Sequence, residues 1–233
     1  MIRVFIGYDS RQPVAFHVAA HSIMKRSSSP VAITPLRLEA TKLARRGLTE
    51  FTYSRFLTPF LSDYKGYSVF LDSDTLCLSD IDELVATAML SEIWGGVPTP
   101  VFVSKNKLRF EWPSVMVFNN ELCQKLTPQY IEDTKNSLFD FAWADRVGEL
   151  PGEWNHLVGY DELNPKAKLI HFTQGIPIWP ETAESEFAAE WKAEFKSMVS
   201  SVSFAALMGQ SVHAKPVYDQ YTPNLCTSVT AVS

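Results

Sequence analysis

Residues 68–74 read Ser-Val-Phe-Leu-Asp-Ser-Asp, an apolar run that ends in two carboxylates separated by one residue. The β-branched and aromatic residues before Asp72 predict a buried β-strand. In open α/β sheets, ligands bind outside the carboxyl ends of the strands. Asp72 and Asp74 are therefore predicted to hold one divalent cation there, because Mg²⁺ and Mn²⁺ prefer hard oxygen ligands. The alternative is that both residues are ordinary loop acids, one of which caps the next helix.

A second apolar run leads into a turn further along the chain. Residues 169–179 read Leu-Ile-His-Phe-Thr-Gln-Gly-Ile-Pro-Ile-Trp, with His171 near the end of a predicted strand. A neutral imidazole would complete a metal site with two aspartates, an arrangement that Mn²⁺ accepts better than Mg²⁺. Gly175 would let the backbone approach a phosphate closely. The alternative for His171 is a buried structural histidine.

The sequence around these segments alternates between strand and helix patterns. The strand–helix–strand opening predicts an α/β domain with a mainly parallel central sheet and helices on both sides. We predict a single domain over residues 1–210 and a C-terminal tail over residues 211–233. The predicted strands cover residues 3–6, 31–36, 67–71, 94–97, 114–118 and 169–172. The first predicted helix starts at residue 13, is capped by Asp9 or Ser10 and ends within residues 27–30. The other predicted helices cover residues 48–63, 81–90 (capped by Asp80), 121–136 and 184–199, and residues 139–154 are predicted to form loops.

Composition excludes several classes of protein. The chain has 233 residues, 46% of them hydrophobic, and a net charge of −5 without a basic block. Intrinsic disorder and nucleic-acid binding are therefore not expected. The three cysteines are odd in number and widely spaced, which favours a reducing compartment. The sequence shows no signal-peptide pattern and no apolar run long enough to span a bilayer, so we expect a cytoplasmic protein without an integral membrane segment.

Four segments together resemble the GT-A glycosyltransferases of family 8, the group that includes glycogenin and bacterial lipooligosaccharide galactosyltransferases. They follow one another in the family's order between residues 4 and 179. The segments are 4–9 (VFIGYD), 53–57 (YSRFL), 70–74 (FLDSD) with 81–84 (IDEL), and 170–179 (IHFTQGIPIW). Residues 114–119 (SVMVFN) resemble a further family strand, which normally begins Asn-Ser-Gly.

The resemblance implies a GT-A fold with a Rossmann-like nucleotide-binding half, a UDP-sugar donor, a manganese ion and retention of the anomeric configuration. It implies a hexosyltransferase whose acceptor is a hydroxyl group of a glycan, a lipid-linked molecule or a protein. The implied site residues are Asp72, Asp74 and His171 for the metal, Tyr8 and Asp9 for the nucleoside, Ser73 for the donor without a more specific role, Gly175 for a phosphate, Arg55 for the diphosphate or sugar, and Asp145 near the donor sugar or acceptor.

The chain departs from the family pattern at three places. Family members often carry Lys-Pro-Trp after the histidine turn, with the lysine on the diphosphate, whereas residues 176–179 read Ile-Pro-Ile-Trp. Lys105, Lys107 and Arg109 are candidates to supply that charge. The Asn-Ser-Gly start is replaced by Trp112-Pro113-Ser114. The family's acidic-amide motif has its nearest counterparts in residues 144–146 (ADR) and 153–155 (EWN).

Two other functions remain open on the sequence. A nucleotidyltransferase on a similar sheet would make the sugar nucleotide, although residues 7–11 (GYDSR) match its glycine-rich basic signature poorly. A non-catalytic relative would bind a sugar nucleotide or a glycan without turning it over. Trp143, Trp154 and Trp179 are candidate sugar platforms, with core or loop packing as the alternative for each.

Overall fold

A computed structural model describes residues 1–200 of the protein. Residues 1–192 form one compact unit, to which the description below refers. Of the residues after 192, the structure describes 193–200, the C-terminal part of the last helix. The predicted domain boundary at residue 210 and the predicted tail over residues 211–233 lie outside the described residues.

The described residues form nine strands and six α-helices. The strands are β1 (Ile2–Gly7), β2 (Val31–Leu36), β3 (Tyr67–Leu71), β4 (Thr75–Cys77), β5 (Val101–Val103), β6 (Val115–Asn119), β7 (Val147–Glu149), β8 (His156–Leu157) and β9 (Leu169–His171). The helices are α1 (Pro13–Arg26), α2 (Leu38–Thr41), α3 (Thr58–Leu61), α4 (Ile81–Gly95), α5 (Pro128–Glu132) and α6 (Ala188–Ser200). Short 3₁₀ helices lie at Ser54–Leu57, Arg109–Ser114, Asn120–Leu122 and Gly152–Trp154.

The central sheet is mainly parallel, as predicted. Its strand order is β2-β1-β3-β6-β5-β7. The pairs β1–β2, β1–β3 and β5–β7 are parallel, whereas β6 is antiparallel to both of its neighbours. All strands of this sheet except β6 therefore run in the same direction, and the ends of β1 and β3 lie at the same edge.

A second, three-stranded sheet has the order β4-β9-β8. Strand β4 begins four residues after β3 ends, so the loop carrying Asp72 and Asp74 joins the two sheets. Thr75 pairs with His171 across the antiparallel β4–β9 ladder. This pairing places the second predicted motif beside the first, although almost one hundred residues separate them in sequence.

Both faces of the central sheet are buried, because side chains alternate along each strand. On one face, Val69 and Leu71 of β3 pack with residues of α1 and α4. On the other face, Phe70 packs with Phe56 and Trp143. Full burial of such a side chain contributes about 1.5–3 kcal/mol. The two hydrophobic cores explain why residues 68–71 form an almost uninterrupted apolar run.

Helix α1 begins at Pro13 as predicted, but its predicted cap is wrong. The N-cap residue is Gln12, which makes no side-chain capping hydrogen bond. The Asp9 carboxylate instead accepts hydrogen bonds from Arg11, and Ser10 pairs with Glu50. The predicted cap of α4 is confirmed, because Asp80 accepts a hydrogen bond from the Asp82 N–H.

Several predicted element boundaries are wrong. The predicted strand at 94–97 belongs to the end of α4, which Gly96 terminates in the left-handed conformation (φ 63°). The predicted helix at 48–63 contains only a 3₁₀ turn and α3. The predicted helix at 121–136 reduces to α5, which Pro128 starts and Thr127 caps. The predicted helix at 184–199 begins only at Ala188, and the loop predicted at 139–154 contains the short strand β7.

None of the helices within residues 1–200 combines the length and the apolar character that crossing a bilayer requires. The predicted cytoplasmic location stays a prediction.

Candidate metal and nucleotide site

Asp72, Asp74 and His171 lie together where the two sheets join. Each offers a ligand atom, and these atoms all lie within 4.8 Å of one another. The loop is fixed at both ends, because the Asp72 N–H donates to the Ser114 carbonyl and the Phe172 N–H donates to the Asp74 carbonyl, both at 2.9 Å. The His171 Nε2 atom lies 3.4 Å from Asp74 Oδ1.

Asp72 forms an ion pair with the buried Arg55. The Arg55 Nη1 atom lies 3.0 Å from Asp72 Oδ1 and donates to the Pro113 carbonyl at 2.9 Å. The guanidinium also stacks over the ring of Phe70, 5.1 Å from its centroid. Burial raises the pKa of the Asp72 carboxyl to about 7, against the opposing effect of the Arg55 charge. A cation brought to this carboxylate would displace a proton near neutral pH.

His171 is surrounded by acceptors. Its Nδ1 atom lies 3.2 Å from Asn155 Oδ1 and 3.7 Å from Glu111 Oε2. Burial by itself lowers the pKa of this imidazole, but the carboxylates of Asp74, Asp72 and Glu111 outweigh it and raise the pKa to about 9. Burial also raises the pKa of Glu111. Three acids thus face one arginine and one histidine.

A divalent cation fits this arrangement. The Oδ1 atoms of Asp72 and Asp74 are buried, and although Arg55 and His171 lie 3.0 Å and 3.4 Å away, neither oxygen accepts an aligned hydrogen bond. Buried carboxylate oxygens normally find a donor or a metal, because leaving them unpaired is costly. Two carboxylates and one imidazole form a ligand set that suits Mn²⁺.

A pocket of about 350 Å³ opens beside Asp74. Its volume lies in the range of small-molecule sites. Three of the residues predicted for the site, Asp9, Ser73 and Asp74, lie on its wall. The remaining lining residues are Arg11, Gln12, Thr49, Phe51 and Trp179.

Arg11 is a basic pocket residue that the sequence analysis missed. Its Nε atom donates to Asp9 Oδ1 at 2.8 Å, and the guanidinium lowers the pKa of the Asp9 carboxyl. Its side chain remains 66% exposed. Its position in the sequence could have indicated this role. Arg11 lies in the loop that follows β1, on the edge of the sheet where β3 also ends.

Three further predicted site residues do not line the pocket. Arg55 lies behind Asp72. Tyr8 packs edge-on against Phe16 and lies under Arg37. Gly175 occupies the turn after β9 with φ 112°, a conformation that L side chains rarely adopt. A Cβ atom at this glycine would lie 3.5 Å from Trp179, so backbone conformation rather than space favours glycine here.

Asp145 lies apart from the cluster. Its side chain is 92% exposed and pairs with Lys125 at 3.3 Å on the surface. The described contacts connect it with none of Asp72, Asp74 or His171. The acidic and amide groups that do reach the cluster are Glu111 and Asn155. Of these, Asn155 belongs to the EWN segment singled out in the sequence, whereas Glu111 was missed.

The candidates for the missing lysine are engaged elsewhere. Lys105 donates to the Val147 carbonyl, Lys107 pairs with Asp161, and Arg109 donates to the Asp140 carbonyl. Among the three tryptophans, Trp143 and Trp154 are fully buried, which excludes them as sugar platforms. Trp179 is 48% exposed and lines the pocket.

Comparison with known proteins places the chain in a family. No protein-family model matches it. The chain is 35% identical over 228 residues to Protein CDI of Arabidopsis thaliana, a match that covers 83% of this chain and 86% of that protein.

Solved structures share the fold at low identity. The bifunctional glycosyltransferase WbbM matches with a TM-score of 0.61 at 16% identity, over 88% of this chain and 50% of the WbbM chain. The chain thus spans about half the length of WbbM. The galactosyltransferase LgtC, solved in complex with donor and acceptor sugar analogs, matches with a TM-score of 0.53 at 13% identity, over 84% of this chain and 96% of LgtC. The chain therefore belongs to the same family as Protein CDI of Arabidopsis thaliana, and its fold is that of the family 8-type GT-A glycosyltransferases.

Proposed function

We propose that the protein is a metal-dependent glycosyltransferase that moves a hexose from a nucleoside diphosphate sugar, with UDP as the nucleotide, to a hydroxyl acceptor. The observation that supports this most is the convergence of Asp72, Asp74 and His171 beside the 350 Å³ pocket. The fold shared with WbbM and LgtC supports the same reaction class. The acceptor is a glycan, a lipid-linked molecule or a protein.

Different residues of the protein would bind the ion and the nucleotide. Asp72, Asp74 and His171 would hold Mn²⁺ or Mg²⁺, and the bound ion would neutralise the diphosphate so that it leaves more readily. Arg55 keeps Asp72 oriented through its ion pair. Asp9 would bind the nucleoside at the opposite wall of the pocket, with Arg11 as the nearest cation for the phosphates.

The residues that line the pocket support a ligand that carries both a flat ring and a charged group. Phe51 and Trp179 supply aromatic faces, and Asp74 and Arg11 supply charge. The exposed face of Trp179 suits a sugar or a base ring. Ser73 contributes a hydroxyl to the same wall. Retention of configuration is part of the proposal, on the strength of the family 8 resemblance.

Isothermal titration of UDP with and without Mn²⁺ tests the proposal. We expect Mn²⁺ to tighten UDP binding at least about tenfold, because an ion held by Asp72, Asp74 and His171 would neutralise the charge of the diphosphate. Asp72→Asn and Asp74→Asn should each remove that gain. Glu121→Gln, which neutralises an exposed acid away from the pocket, is the matched control and should behave as the wild type. UDP binding that ignores both the metal and the two variants would contradict the proposal.

Product analysis separates the other candidate functions. Incubation with UDP-glucose or UDP-galactose and Mn²⁺ should release UDP by slow hydrolysis even without the natural acceptor. Pyrophosphate release from UTP and a sugar phosphate would instead identify a nucleotidyltransferase. Tight, metal-dependent UDP-sugar binding with no UDP release over long incubation would identify a non-catalytic binding protein.

A further inference from the structure

We infer that Asn155 is a positioning residue that fixes the ring state of His171, so that the imidazole presents the lone pair of Nε2 to the metal. This inference rests on the proposed function, in which His171 is a metal ligand. Asn155 is completely buried and directly follows the 3₁₀ helix Gly152–Trp154. Its side-chain oxygen contacts His171.

The orientation of the Asn155 amide follows from its neighbours. One end of the amide lies 3.3 Å from the Glu111 carbonyl oxygen, which can only accept a hydrogen bond. That end must therefore be the NH₂ group. The same end lies 3.1 Å from Ser114 Oγ, whose own hydrogen is donated to the Glu111 carbonyl. Both NH₂ hydrogens thus have acceptors, and the reversed amide would place two oxygens against each other.

The amide orientation decides the state of the imidazole. With the NH₂ group held by Glu111 and Ser114, Asn155 Oδ1 faces His171 Nδ1 at 3.2 Å. An amide oxygen only accepts, so Nδ1 must carry the hydrogen. In the neutral ring, the lone pair then belongs to Nε2, the nitrogen that lies 3.4 Å from Asp74 Oδ1 on the side of the metal ligands. Glu111 Oε2, at 3.7 Å from Nδ1, favours the same state from a greater distance.

Outer partners of this kind matter because a histidine with the wrong nitrogen protonated cannot bind the ion. Loss of such a partner typically lowers metal affinity about 10- to 100-fold. Asn155→Leu keeps a similar volume and removes both the oxygen and the NH₂ group. We expect this variant to bind Mn²⁺ alone, in the absence of nucleotide, about 10- to 100-fold more weakly than the wild type. Asn136→Leu removes an amide that donates to the Tyr130 carbonyl and is the matched control, with an unchanged affinity.

A second readout separates positioning from a general loss of structure. In ¹⁵N-labelled protein without metal, at a pH at which the His171 ring is neutral, the wild type should show His171 protonated at Nδ1 only. Asn155→Leu should show a mixture of ring states, and the control Asn136→Leu should keep the wild-type state. A folded Asn155→Leu protein with wild-type Mn²⁺ affinity and an unchanged ring state would overturn the inference, because Glu111 would then suffice.

Two controls keep the outcome interpretable. If the wild type fails to bind Mn²⁺, the proposed function fails, whereas an unaffected Asn155→Leu variant overturns only the role of Asn155. Should Asn155→Leu not fold, Ser114→Ala takes its place, since it removes one of the two acceptors that orient the amide. We expect Ser114→Ala to weaken Mn²⁺ binding about threefold, a smaller loss than removing the amide itself. Unchanged affinity and ring state in that variant would count against the inference.

Discussion

Two buried histidines lie on the neighbouring strands β8 and β9, and their surroundings differ in one respect that decides what each can bind. His171 offers Nε2 to Asp74, while its Nδ1 is held by Asn155. His156 has a carboxylate at each nitrogen, Asp161 at 3.8 Å from Nδ1 and Glu186 at 3.1 Å from Nε2. The carboxylates therefore lie on opposite sides of the His156 ring and cannot converge on one cation with it.

Free acceptor atoms separate the two clusters as well. Asp161 Oδ2 accepts from the Leu157 N–H at 2.8 Å and pairs with Lys107, whose amine neutralises it. At the other cluster, Asp72 also has a cationic partner, Arg55 at 3.0 Å, but the buried Oδ1 atoms of Asp72 and Asp74 accept no aligned hydrogen bond. Similar residue types thus form a structural network in one place and a candidate metal site in the other. The comparison shows what identifies a metal site. Its ligand atoms converge on one point and include oxygens without aligned hydrogen bonds, whereas the mere presence of histidine and acids is not enough.

Exchanging each histidine for alanine tests this comparison most strongly. His171→Ala should weaken Mn²⁺ binding by at least about 100-fold, because it removes a direct ligand. His156→Ala should leave Mn²⁺ affinity within about threefold and lower the melting temperature instead, since it leaves a buried hole among Phe187, Asp161 and Glu186. Electron paramagnetic resonance of free Mn²⁺ and thermal melts give both numbers. Equal losses of Mn²⁺ affinity in the two variants would contradict the assignment of His171, rather than His156, to the metal site.

Changing the pH should affect only the cluster that holds the metal. The pKa of Asp72 is raised to about 7 and that of His171 to about 9, so metal must displace protons from both groups at lower pH. Between pH 7.5 and 8.5 one proton is displaced, and Mn²⁺ affinity should rise about tenfold. His156→Ala should show the same slope. An affinity that does not depend on pH would contradict the ionisation of the cluster.

The same shifts fix the sign of the stability change in the metal-free protein. Both groups bind their proton more tightly when folded than when unfolded. The contribution of Asp72 is fully present below its ordinary pKa of 3.8 and is lost as the pH rises through about 7. The contribution of His171 is present below 6.5 and is lost as the pH rises through about 9. The melting temperature without metal should therefore fall between pH 6 and pH 9, while the stabilisation by added Mn²⁺ should grow.

Lys107→Met tests the same comparison at the cluster around His156. The Lys107 side chain is 8% exposed, and its removal leaves the Asp161 carboxylate without its cation. We expect a loss of about 2–3 kcal/mol in stability, or about 5–10 °C in melting temperature. The number of bound Mn²⁺ ions should stay at one, because the acids around His156 remain on opposite sides of the ring. A second bound ion would show that charge rather than geometry excludes metal there.

Asp145→Asn carries the smallest expected effect. Its exposed position and its surface pair with Lys125 predict a change of less than about twofold in turnover, since exposed ion pairs contribute little. The sequence-based role near the donor sugar predicts a large loss instead. A tenfold or greater fall in kcat, with Mn²⁺ affinity unchanged, would reinstate that role. Steady-state assays of UDP release discriminate between the two outcomes.

Local patterns predicted the central strands well and the short helices poorly. The apolar runs at 31–36 and 67–71 coincide with β2 and β3. The run at 67–71 is unambiguous because a strand buried on both faces has to be largely apolar. Strand β2 is a partly exposed edge strand, and its β-branched residues gave the signal there. The segments at 48–63 and 121–136 contain prolines and aromatic residues that contact the core individually, so their helical spacing did not produce long helices. The strand at 101–103 was missed because three residues give too little periodicity.

The three residues of the candidate metal site were proposed from the sequence. Asp72 and Asp74 follow a buried strand directly, and His171 follows another apolar run. Their meeting depends on the Thr75–His171 pairing in the second sheet, a contact for which no local pattern exists. Residues that contact these side chains from other segments, such as Glu111 near His171, carry no sequence signature, because the residues they contact are distant in the chain.

By itself, the sequence determined four of the six central strands (β1, β2, β3 and β6), the acidic loop after β3 and the resemblance to family 8 glycosyltransferases, because each of these depends on residues that are adjacent along the chain. The tertiary structure alone decided which acids remain without donors, which histidine faces them and which cations are already paired. Those properties depend on long-range pairing and burial. Asp145 and Glu111 illustrate the reason, since the same carboxylate chemistry is solvated at one position and enclosed among charged neighbours at the other.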